Sequence, residues 1–339
     1  MKTLILGIET SCDETSASIC RNGKIINNII AGQSIHTRYG GVVPELASRA
    51  HQQKIIPVVK EAMNDANVKA KDLTSVAYTR GPGLLGALLV GSSFAKSMAM
   101  ALGIPCTPVN HIEGHVYSHF INKFEPELPF ICLIASGGHT QLILMEESHS
   151  LRIIGETLDD AAGEAFDKGA KLLGLDYPGG ALIDKYAALG DSKRYLFSKS
   201  VVPNLDYSFS GIKTSLLYFL KKEVDKNPVF INENLCDLCA GYQKSIIDML
   251  MEKLTMAAEK YNVCNIGIGG GVSANTGLRA RLKVMATQLG WSVFLPDIQY
   301  CTDNAAMIAL VGYYRFMAGK FGDINDAPLP RMKIENHQS

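Results

Sequence analysis

The sequence has no net charge, because its 339 residues include 33 lysines and arginines against 33 aspartates and glutamates. A global excess of charge is therefore excluded as the means of holding nucleic acid or a membrane surface, and any such partner must be bound by a local patch. Pervasive disorder is excluded as well, since 47% hydrophobic and 19% charged residues are typical of a globular protein. The length predicts about two domains.

The sequence also lacks a disulfide framework. Its eight cysteines are scattered, mostly in apolar or helical contexts, which predicts reduced thiols in a cytosolic protein. Cys236 and Cys239 form a CxxC motif, but no second pair follows at the spacing of a zinc ribbon. The segment 234–258 has helical periodicity, so we interpret the pair as part of a packed helix.

Neither an export signal nor a membrane span is expected. The apolar run 4–8 is too short for a signal sequence, and Glu9 interrupts it. The longest apolar stretch, 83–105, contains three serines and Lys96, which would be costly at the centre of a bilayer. We therefore expect this stretch to be a buried helix of a soluble, cytoplasmic protein.

The chain is organised as two copies of one pattern, in which strands around a small, polar turn lead into alternating helices and strands. In the first copy, we predict strands at 4–9, 15–21, 24–31, 75–79 and 106–109, with helices at 46–66 and 87–102. In the second, we predict strands at 130–135, 141–145, 151–157, 264–268 and 292–295, with helices at 163–173, 232–261, 274–289 and 304–318. This duplication predicts two α/β domains flanking a cleft. We assign 1–124 to the first domain, with a C-terminal helix over 304–339 packing back on it, and 125–303 to the second.

Three turns of small residues follow predicted strands, at 10–13, 136–140 and 269–275. Glycines at such places let a ligand approach the backbone and leave N–H groups free, which suits phosphate. None of the turns matches the Walker motif or the Rossmann fingerprint, so a P-loop and a dinucleotide-binding domain are disfavoured. Their equivalent positions favour a nucleotide-binding cleft, with ordinary turns as the alternative.

The segment 111–115, with the sequence His-Ile-Glu-Gly-His, is a candidate metal site. On a helix, His111 and His115 would share one face and could bind one cation, with a polar helix face as an equal alternative. Zincin proteases use the same spacing, but their Glu directly follows the first His, whereas Glu113 would project from nearly the opposite face. We expect His119 to lie behind the ligands or to face solvent.

A third ligand must come from a distant part of the sequence. Asp303 is a candidate, since it precedes the predicted final helix, where a carboxylate is favourable, although the residues alone favour an ordinary helix cap. Two histidines and one carboxylate would leave coordination positions open for substrate oxygens, as in sites for Fe(II) and similar divalent ions.

Several motifs together resemble one family. In chain order they are 7–13 (Gly-Ile-Glu-Thr-Ser-Cys-Asp), 41–45, 81–83, 111–115, 136–140 (Ser-Gly-Gly-His-Thr), 208–214 (Ser-Phe-Ser-Gly-Ile-Lys-Thr), 269–275 and 302–304. They resemble the bacterial TsaD branch of the proteins that make threonylcarbamoyladenosine in tRNA. The resemblance runs from the first predicted strand to the final helix.

The resemblance implies the duplicated fold of actin, hexokinase and the chaperone ATPases, called the ASKHA fold, with an interdomain cleft. It implies an acyltransferase that moves threonylcarbamoyl from threonylcarbamoyl-adenylate to N6 of the adenosine 3′ of the anticodon, in tRNAs that read ANN codons. AMP would be released. The implied cofactor is one divalent metal ion per subunit, Fe(II) or Zn(II), although the ligand set suits Mn(II) as well.

The resemblance also assigns residues. His111, His115 and Asp303 match the metal ligands of the family, and no further catalytic residue is assigned. In the archaeal and eukaryotic branch an aromatic hydroxyl can join the metal, whereas Ile134 stands at that position here and implies a more open coordination. The adenylate site is matched by Ile134, Ala135, Ser136, Gly137, Gly138, Asp167, Gly180 and Asn275, with Asp184 near that set.

The implied partners are tRNA, an inactive paralogue of the same fold similar to TsaB, and a small P-loop ATPase similar to TsaE. No membrane partner is implied. The helix at 46–66 is a candidate dimer surface, with burial in its own domain as the stronger alternative. Two basic segments could bind tRNA, although solvated faces are more common; they contain Lys193, Arg194 and Lys199, and Arg279, Arg281 and Lys283.

Two other classes of function stay open from the residues alone. One is a metal-dependent endopeptidase, which the spacing of His111 and His115 suggests and the position of Glu113 opposes. The other is a non-catalytic nucleotide-binding scaffold, or a sugar kinase of the same superfamily, for which we can assign no Asp base.

Overall fold

The computed structural model describes residues 3–121, 125–146 and 150–334. Contacts divide these residues into two compact units: unit 1 comprises 3–126 and 296–334, and unit 2 comprises 127–295. The sequence prediction assigned 296–303 to the second domain. The structure assigns this segment to unit 1, because Asp303 contacts Ser11 and His115 of that unit.

The described residues form eleven strands and nine α-helices, joined in places by short 3-10 helices. The strands are β1 (Leu4–Glu9), β2 (Thr15–Arg21), β3 (Lys24–Ile25), β4 (Ile29–Ala31), β5 (Ser75–Gly81), β6 (Cys106–Asn110), β7 (Phe130–Ala135), β8 (Thr140–Met145), β9 (Leu151–Glu156), β10 (Asn265–Gly269) and β11 (Ser292–Phe294). The helices are α1 (Pro44–Asp65), α2 (Leu85–Leu102), α3 (His111–Tyr117), α4 (Ala162–Leu172), α5 (Gly179–Ala187), α6 (Ser210–Val224), α7 (Phe230–Tyr261), α8 (Thr276–Leu289) and α9 (Ala305–Met317).

The sheet of unit 1 has the strand order β3-β2-β1-β5-β6, with β4 also paired to β2. β1 and β2 are antiparallel, whereas β5 is parallel to both β1 and β6. The carboxyl ends of β1, β5 and β6 therefore lie along one edge of the sheet. That edge carries Glu9, Thr79 and the start of α3.

Helices cover both faces of this sheet. Leu6, Ile8 and Val76 share a core cluster with residues of α1 and α2. The opposite face meets α9, and glycine is required there, since a Cβ on Gly7 would lie 2.5 Å from the Ala305 oxygen. The close approach fixes the start of α9 against the sheet.

Helix α2 is only partly buried, which corrects the prediction of a buried helix. Leu88 and Ala95 face the core, whereas Leu85 is 52% and Met100 67% exposed. In the part of the chain that the structure describes, α2 is the one helix long and apolar enough to cross a membrane. A single such helix is weak support for a membrane span, because core helices pass the same test.

The sheet of unit 2 repeats the topology of unit 1. Its order is β11-β10-β7-β8-β9, in which β7, β8 and β9 are antiparallel neighbours. β10 is parallel to both β7 and β11. The two strand orders become identical when β7, β8, β9, β10 and β11 are matched to β1, β2, β3, β5 and β6. The predicted duplicated α/β fold is therefore confirmed.

Some elements differ from the predictions. Helices α5 and α6 were not predicted, and the predicted strand at 24–31 is divided into β3 and β4. The division follows from Asn27, whose side chain bonds to the Ile19 N–H and the Ala62 carbonyl. The final helix covers Ala305–Met317, close to the predicted 304–318, although not the whole C-terminal segment 304–339 that we assigned to the first domain. Residues 318–334 are not helical, and 335–339 lie outside the described residues.

All eight cysteines are described, and none forms a disulfide. Cys236 and Cys239 both lie within α7, where Cys239 is fully buried. The interpretation of the CxxC motif as helix packing agrees with this placement.

Candidate functional site

Two histidines lie on α3 at the carboxyl-terminal edge of the unit 1 sheet. Asn110 ends β6, and its side chain caps α3 by accepting from the N–H groups of Ile112 and Glu113 at 2.9 and 3.3 Å. His111 is therefore the first helical residue. His115 follows one turn later on the same face, with the ring centroids 4.7 Å apart. Both imidazoles are buried.

Asp303 approaches the histidine pair from a distant part of the chain. Asn304, rather than Asp303, caps α9, because its side chain accepts from the Met307 N–H at 3.1 Å. The Asp303 carboxylate is thus not used for capping. Its Oδ1 lies 3.3 Å from His111 Nε2 and 3.2 Å from His115 Nε2. The three predicted ligand residues offer atoms that all lie within 4.8 Å of one another.

Two contacts hold α3 against α9. A Cβ on Gly114 would lie 3.0 Å from Met307 Cγ, so the helices pack closely at that point. Beside it, Glu113 Oε2 accepts from the Arg315 guanidinium of α9. Because Arg315 engages Glu113, this carboxylate is poorly placed to act as a base beside the histidines. The endopeptidase alternative is therefore disfavoured.

Glu9 supports His111, and sequence reasoning did not assign it to the site. It ends β1, is fully buried, and its Oε2 lies 3.0 Å from His111 Nδ1 and 2.6 Å from Thr79 Oγ1. A carboxylate on the second nitrogen of a ligating imidazole fixes its tautomer and orientation. The available signal was a charged residue at the end of an otherwise apolar strand.

The carboxylates favour charge on one histidine only. Burial alone would lower the pKa of His111, but Asp303 and Glu9 outweigh it and raise this pKa well above its ordinary value. Burial lowers the pKa of His115. Against the effect of its own burial, the two histidines hold the pKa of Asp303 well below its ordinary value. The protein alone therefore pairs one imidazolium and one neutral imidazole with two carboxylates.

This donor set fits a divalent cation. Imidazole nitrogen and carboxylate oxygen suit first-row divalent ions, and bonds of about 2.0–2.2 Å would place such ligand atoms roughly 3 Å apart. In the described residues, His115 Nδ1 is buried without a hydrogen-bond partner, so the protein leaves one ring nitrogen of the cluster unsatisfied. His119 is buried rather than facing solvent, and its Nδ1 lies 3.0 Å from the Val116 carbonyl oxygen.

The second candidate region is the turn between β7 and β8 in unit 2. The Ser136 N–H donates to the His139 carbonyl at 2.8 Å, and the Ser136 carbonyl accepts from the Gly163 N–H of α4 at 3.0 Å. In the described part of the chain, the N–H groups of Gly137 and Gly138 donate to no protein acceptor. The turn therefore offers two backbone donors beside the start of a helix.

Neither packing nor backbone conformation requires glycine at three positions of this region. A Cβ on Gly137, Gly138 or Gly271 would meet no atom within 4 Å, and none of the three has a positive φ. Gly270 differs, because its φ is +81° and a Cβ on it would lie 2.4 Å from the Ala135 carbonyl oxygen. Bare backbone beside open space is the arrangement that close approach of a ligand requires.

Asp167, Asp184 and Asn275 each cap a helix in unit 2. Asp167 Oδ1 accepts from Gly179 and Gly180, the first two residues of α5, at 2.8 and 3.3 Å. Asp184 accepts from the first N–H of α8 at 2.8 Å, and Asn275 Oδ1 from the third at 2.8 Å. Burial raises the pKa of Asp167, whose carboxylate lies on α4. These contacts connect the start of α5 to α4 and the start of α8 to α5.

The remaining predicted residues of this region are buried in β7. Ile134 pairs with Gly269 of β10, and both Ile134 and Ala135 are almost fully inaccessible. Gln243 was missed, although its Oε1 accepts from Asn275 Nδ2 at 2.7 Å. Its position within the long helix α7 gave no signal in the sequence.

Three of the six cations in the two predicted basic segments contact protein groups. Arg194 lies 2.6 Å from an Asp237 oxygen, and Lys199 lies 3.9 Å from Glu252. Arg279 Nε donates to the backbone of its own segment at 2.6 Å. These contacts reduce the positive charge available to RNA.

The fold first defines a class of protein. HypF, solved at full length in the phosphate- and nucleotide-bound form, matches with a TM-score of 0.62 at 13% identity, covering 92% of this chain and 46% of HypF. The activator of the 2-hydroxyisocaproyl-CoA dehydratase from Clostridium difficile, with bound ADPNP, matches with a TM-score of 0.52 at 14% identity, covering 94% and 97%. The duplicated topology and these likenesses define an ASKHA-type fold.

Sequence similarity then defines the family. The TsaD family, described as tRNA N6-adenosine threonylcarbamoyltransferase, matches residues 24–310. A protein of that name from Cytophaga hutchinsonii is 52% identical over 334 residues, covering 98% of this chain and 97% of the relative. Another from Porphyromonas gingivalis is 49% identical over 336 residues, covering 98% of each. The chain belongs to the TsaD family.

Proposed function

We propose that this chain transfers threonylcarbamoyl from threonylcarbamoyl-adenylate to N6 of the adenosine 3′ of the anticodon, in tRNAs that read ANN codons. The observation that carries the proposal is the relationship to the TsaD family at about 50% identity over nearly the whole chain. In the reaction, N6 bonds to the carbamoyl carbon and loses one proton. The bond from that carbon to the phosphate oxygen breaks, and AMP leaves with the electron pair.

We assign nucleotide binding to the turn region of unit 2. The free N–H groups of Gly137 and Gly138 are suited to donate to the adenylate, since oriented backbone donors stabilise phosphate without reorganising. Asp167 uses Oδ1 for α5, so its Oδ2 is assigned to the ribose hydroxyls. Both carboxylate oxygens of Asp184 accept hydrogen bonds from Thr276 at the start of α8. We therefore assign Asp184 to positioning Asn275, the residue before Thr276.

We assign His111, His115 and Asp303 as ligands of one divalent cation per subunit, Fe(II) or Zn(II). A cation bound there would supply a Lewis acid. Glu9 holds His111 with Nε2 turned toward Asp303, which keeps the donor atoms together. The anhydride is already activated, so no side-chain nucleophile is needed, and positioning supplies most of the rate.

We further propose that the chain acts in the cytoplasm with tRNA, an inactive paralogue similar to TsaB, and a small P-loop ATPase similar to TsaE. Exposed apolar side chains support a subunit contact on α1 and α2. Ile56 of α1 is 63% exposed, and Met100 of α2 is 67% exposed. Burial of apolar surface is the main source of free energy in most subunit contacts.

The test is reconstitution with both partner subunits, threonine, bicarbonate, ATP and unmodified tRNA, followed by nucleoside analysis. We expect threonylcarbamoyladenosine from the wild type and loss of it in His111→Ala. Asp225→Ala is the control, and it should retain activity and metal content because Asp225 is an exposed carboxylate of unit 2. Absence of the nucleoside from the wild-type reaction, with all components folded, would contradict the proposed function.

A further inference from the structure

A basic cavity lies in unit 1 beside the carboxyl end of β5. Its C-terminal wall is held by two backbone bonds, from Leu329 to the Arg80 carbonyl at 2.8 Å and from Gly83 to the Pro330 carbonyl at 3.1 Å. A Cβ on Gly81 would overlap the Leu329 oxygen, so glycine permits this approach. The cavity has a volume of about 570 Å³, within the range of ligand sites, and is lined by Arg80, Leu329, Pro330, Arg331, Met332 and Lys333.

Two of the three cations in this cavity have no acidic partner. Arg80 Nη2 lies 3.1 Å from Asp326 Oδ1, so Arg80 is partly neutralised and supports the wall. Among the residues that the structure describes, no carboxylate pairs with Arg331 or Lys333, and both are exposed. The cavity therefore concentrates unbalanced positive charge in a chain whose net charge is zero.

The cavity wall is attached to the helix that carries the two histidines. Asn110 Nδ2 donates to the Lys333 carbonyl at 3.2 Å, and Asn110 Oδ1 caps α3. Lys333 is thus connected to His111 through one hydrogen bond to Asn110 and the peptide bond between Asn110 and His111. A ligand held in the cavity would be bound close to α3 in unit 1.

We propose that this cavity binds a backbone phosphate and the adjoining nucleotide of the tRNA being modified, an inference that rests on the proposed function. Arg331 and Lys333 would contact the phosphate, since cations supply most of the affinity for RNA backbone. Leu329, Pro330 and Met332 would pack against the base, because proteins bind single-stranded loops by combining cations with flat apolar surface.

RNA is favoured over an acidic protein for two reasons. The cations line an open depression that also exposes Leu329, Pro330 and Met332, an apolar surface on which a base can stack. The cavity also adjoins α3, whose histidines we assign to the metal. Arg194, Lys199 and Arg279 in unit 2 already contact protein acceptors, so they offer less charge to RNA.

The test uses the full chain assembled with its partner subunits and compares wild type with Arg331→Gln/Lys333→Gln. The matched control is Lys71→Gln, an exposed lysine before the amino end of β5, roughly 20 Å away along the strand. Affinity for unmodified tRNA is measured by filter binding over a series of salt concentrations. AMP affinity, metal content and kcat at saturating tRNA are measured in parallel.

We expect the double variant to bind tRNA about 10-fold more weakly, with a salt slope smaller by roughly 0.8, as for one phosphate that is no longer neutralised. Its kcat, AMP affinity and metal content should stay within twofold, and Lys71→Gln should match the wild type. Arg331→Lys/Lys333→Arg should restore tRNA affinity. If the double variant does not fold, Arg331→Gln alone should weaken tRNA binding and lower the slope by about half as much.

Unchanged tRNA affinity and salt slope in the folded variant would overturn the proposal. If the variant instead lost a partner subunit while its tRNA binding stayed unchanged, the cavity would be a protein-binding site. That result would overturn the proposal equally. Because tRNA binding is measured without turnover, this result is separate from a failure of the proposed function. A wild type that binds tRNA through this cavity but makes no threonylcarbamoyladenosine would contradict only the function.

Discussion

The turn after β1 and the turn after β7 occupy the same place in two copies of one topology, yet they differ in chemistry. After β1, Glu9 and Ser11 direct side-chain oxygens to His111 Nδ1 at 3.0 and 3.2 Å. After β7, Gly137 and Gly138 offer bare backbone. The topology is therefore the same at both turns, whereas the residues differ: unit 1 presents side-chain oxygens there and unit 2 presents bare backbone.

The largest expected effect comes from removing the carboxylate of the side-chain site. Asp303→Ala should lower transfer about 1,000-fold, which corresponds to roughly 4 kcal/mol. Metal content should fall below about a tenth of an ion per chain, because one of three donor groups is lost. Metal analysis and nucleoside formation test this, with the exposed Asp225→Ala as control. Full metal content in folded Asp303→Ala would remove Asp303 from the ligand set.

A smaller effect is expected from the support of that site. Glu9→Gln keeps the shape of the side chain and an acceptor for Thr79 but removes the charge beside His111. Loss of such supporting contacts typically costs 10–100-fold in metal affinity or activity. Metal titration of the apoprotein would measure this loss. An unchanged dissociation constant would show that Glu9 serves only the packing of the strand edge.

A methyl group added at the glycine turn of unit 2 should weaken nucleotide binding without lowering the stability of the fold. Gly138→Ala should weaken AMP binding about 10-fold, since the new Cβ occupies open space that the ligand needs. Gly7→Ala is the opposite case: it should cost about 1–3 kcal/mol of stability and leave AMP affinity of the folded protein unchanged. Calorimetry of AMP binding and thermal unfolding separate the two. Equal AMP affinity in Gly138→Ala and wild type would contradict the assignment.

The smallest effect is expected at the start of α6. Asp159 accepts from Ser208 Oγ at 2.6 Å and from the Phe209 N–H at 2.7 Å. Burial would raise the pKa of Asp159, but these bonds and those of Ser210 outweigh it and lower the pKa. Asp159→Asn should cost about 0.5 kcal/mol, since the group is exposed.

The pH dependence of that difference follows from its sign. A lowered native pKa stabilises the fold above the unfolded value of about 4, and the gain is lost as pH falls through the native pKa. Wild type and Asp159→Asn should therefore differ in stability at pH 7, and the difference should be smaller at pH 3. Denaturant unfolding at both pH values tests this. A difference that grows toward pH 3 would contradict the assignment of Asp159 as the ionised cap.

Much of the contrast between the side-chain cluster in unit 1 and the glycine turn in unit 2 was predictable from the sequence. Strand 130–135 was predicted to its last residue, because apolar runs bounded by glycine turns are strong local signals. The meeting of His111 with His115 follows from helix geometry alone. Their meeting with Asp303 was reached through resemblance, since it depends on tertiary packing of α9 that no local pattern encodes.

The missed features have physical reasons too. Helix α5 begins with Gly179 and Gly180, which sequence rules treat as helix breakers, whereas Asp167 supplies the missing cap from another helix. Glu9 is not assigned to the site from the sequence, because the role of a buried carboxylate depends on the groups that it contacts in the folded chain. Gln243 and Asn275 meet across α7 and α8, a contact that exists only in the folded chain.

The central claim is that unit 1 binds the cation by side chains and unit 2 binds the nucleotide by backbone. Equilibrium binding of metal and of AMP, measured on Asp303→Ala and Gly138→Ala, tests it most directly. The account predicts that Asp303→Ala loses metal and keeps AMP, while Gly138→Ala loses AMP and keeps metal. Loss of AMP from Asp303→Ala together with loss of metal from Gly138→Ala, in folded proteins, would contradict it.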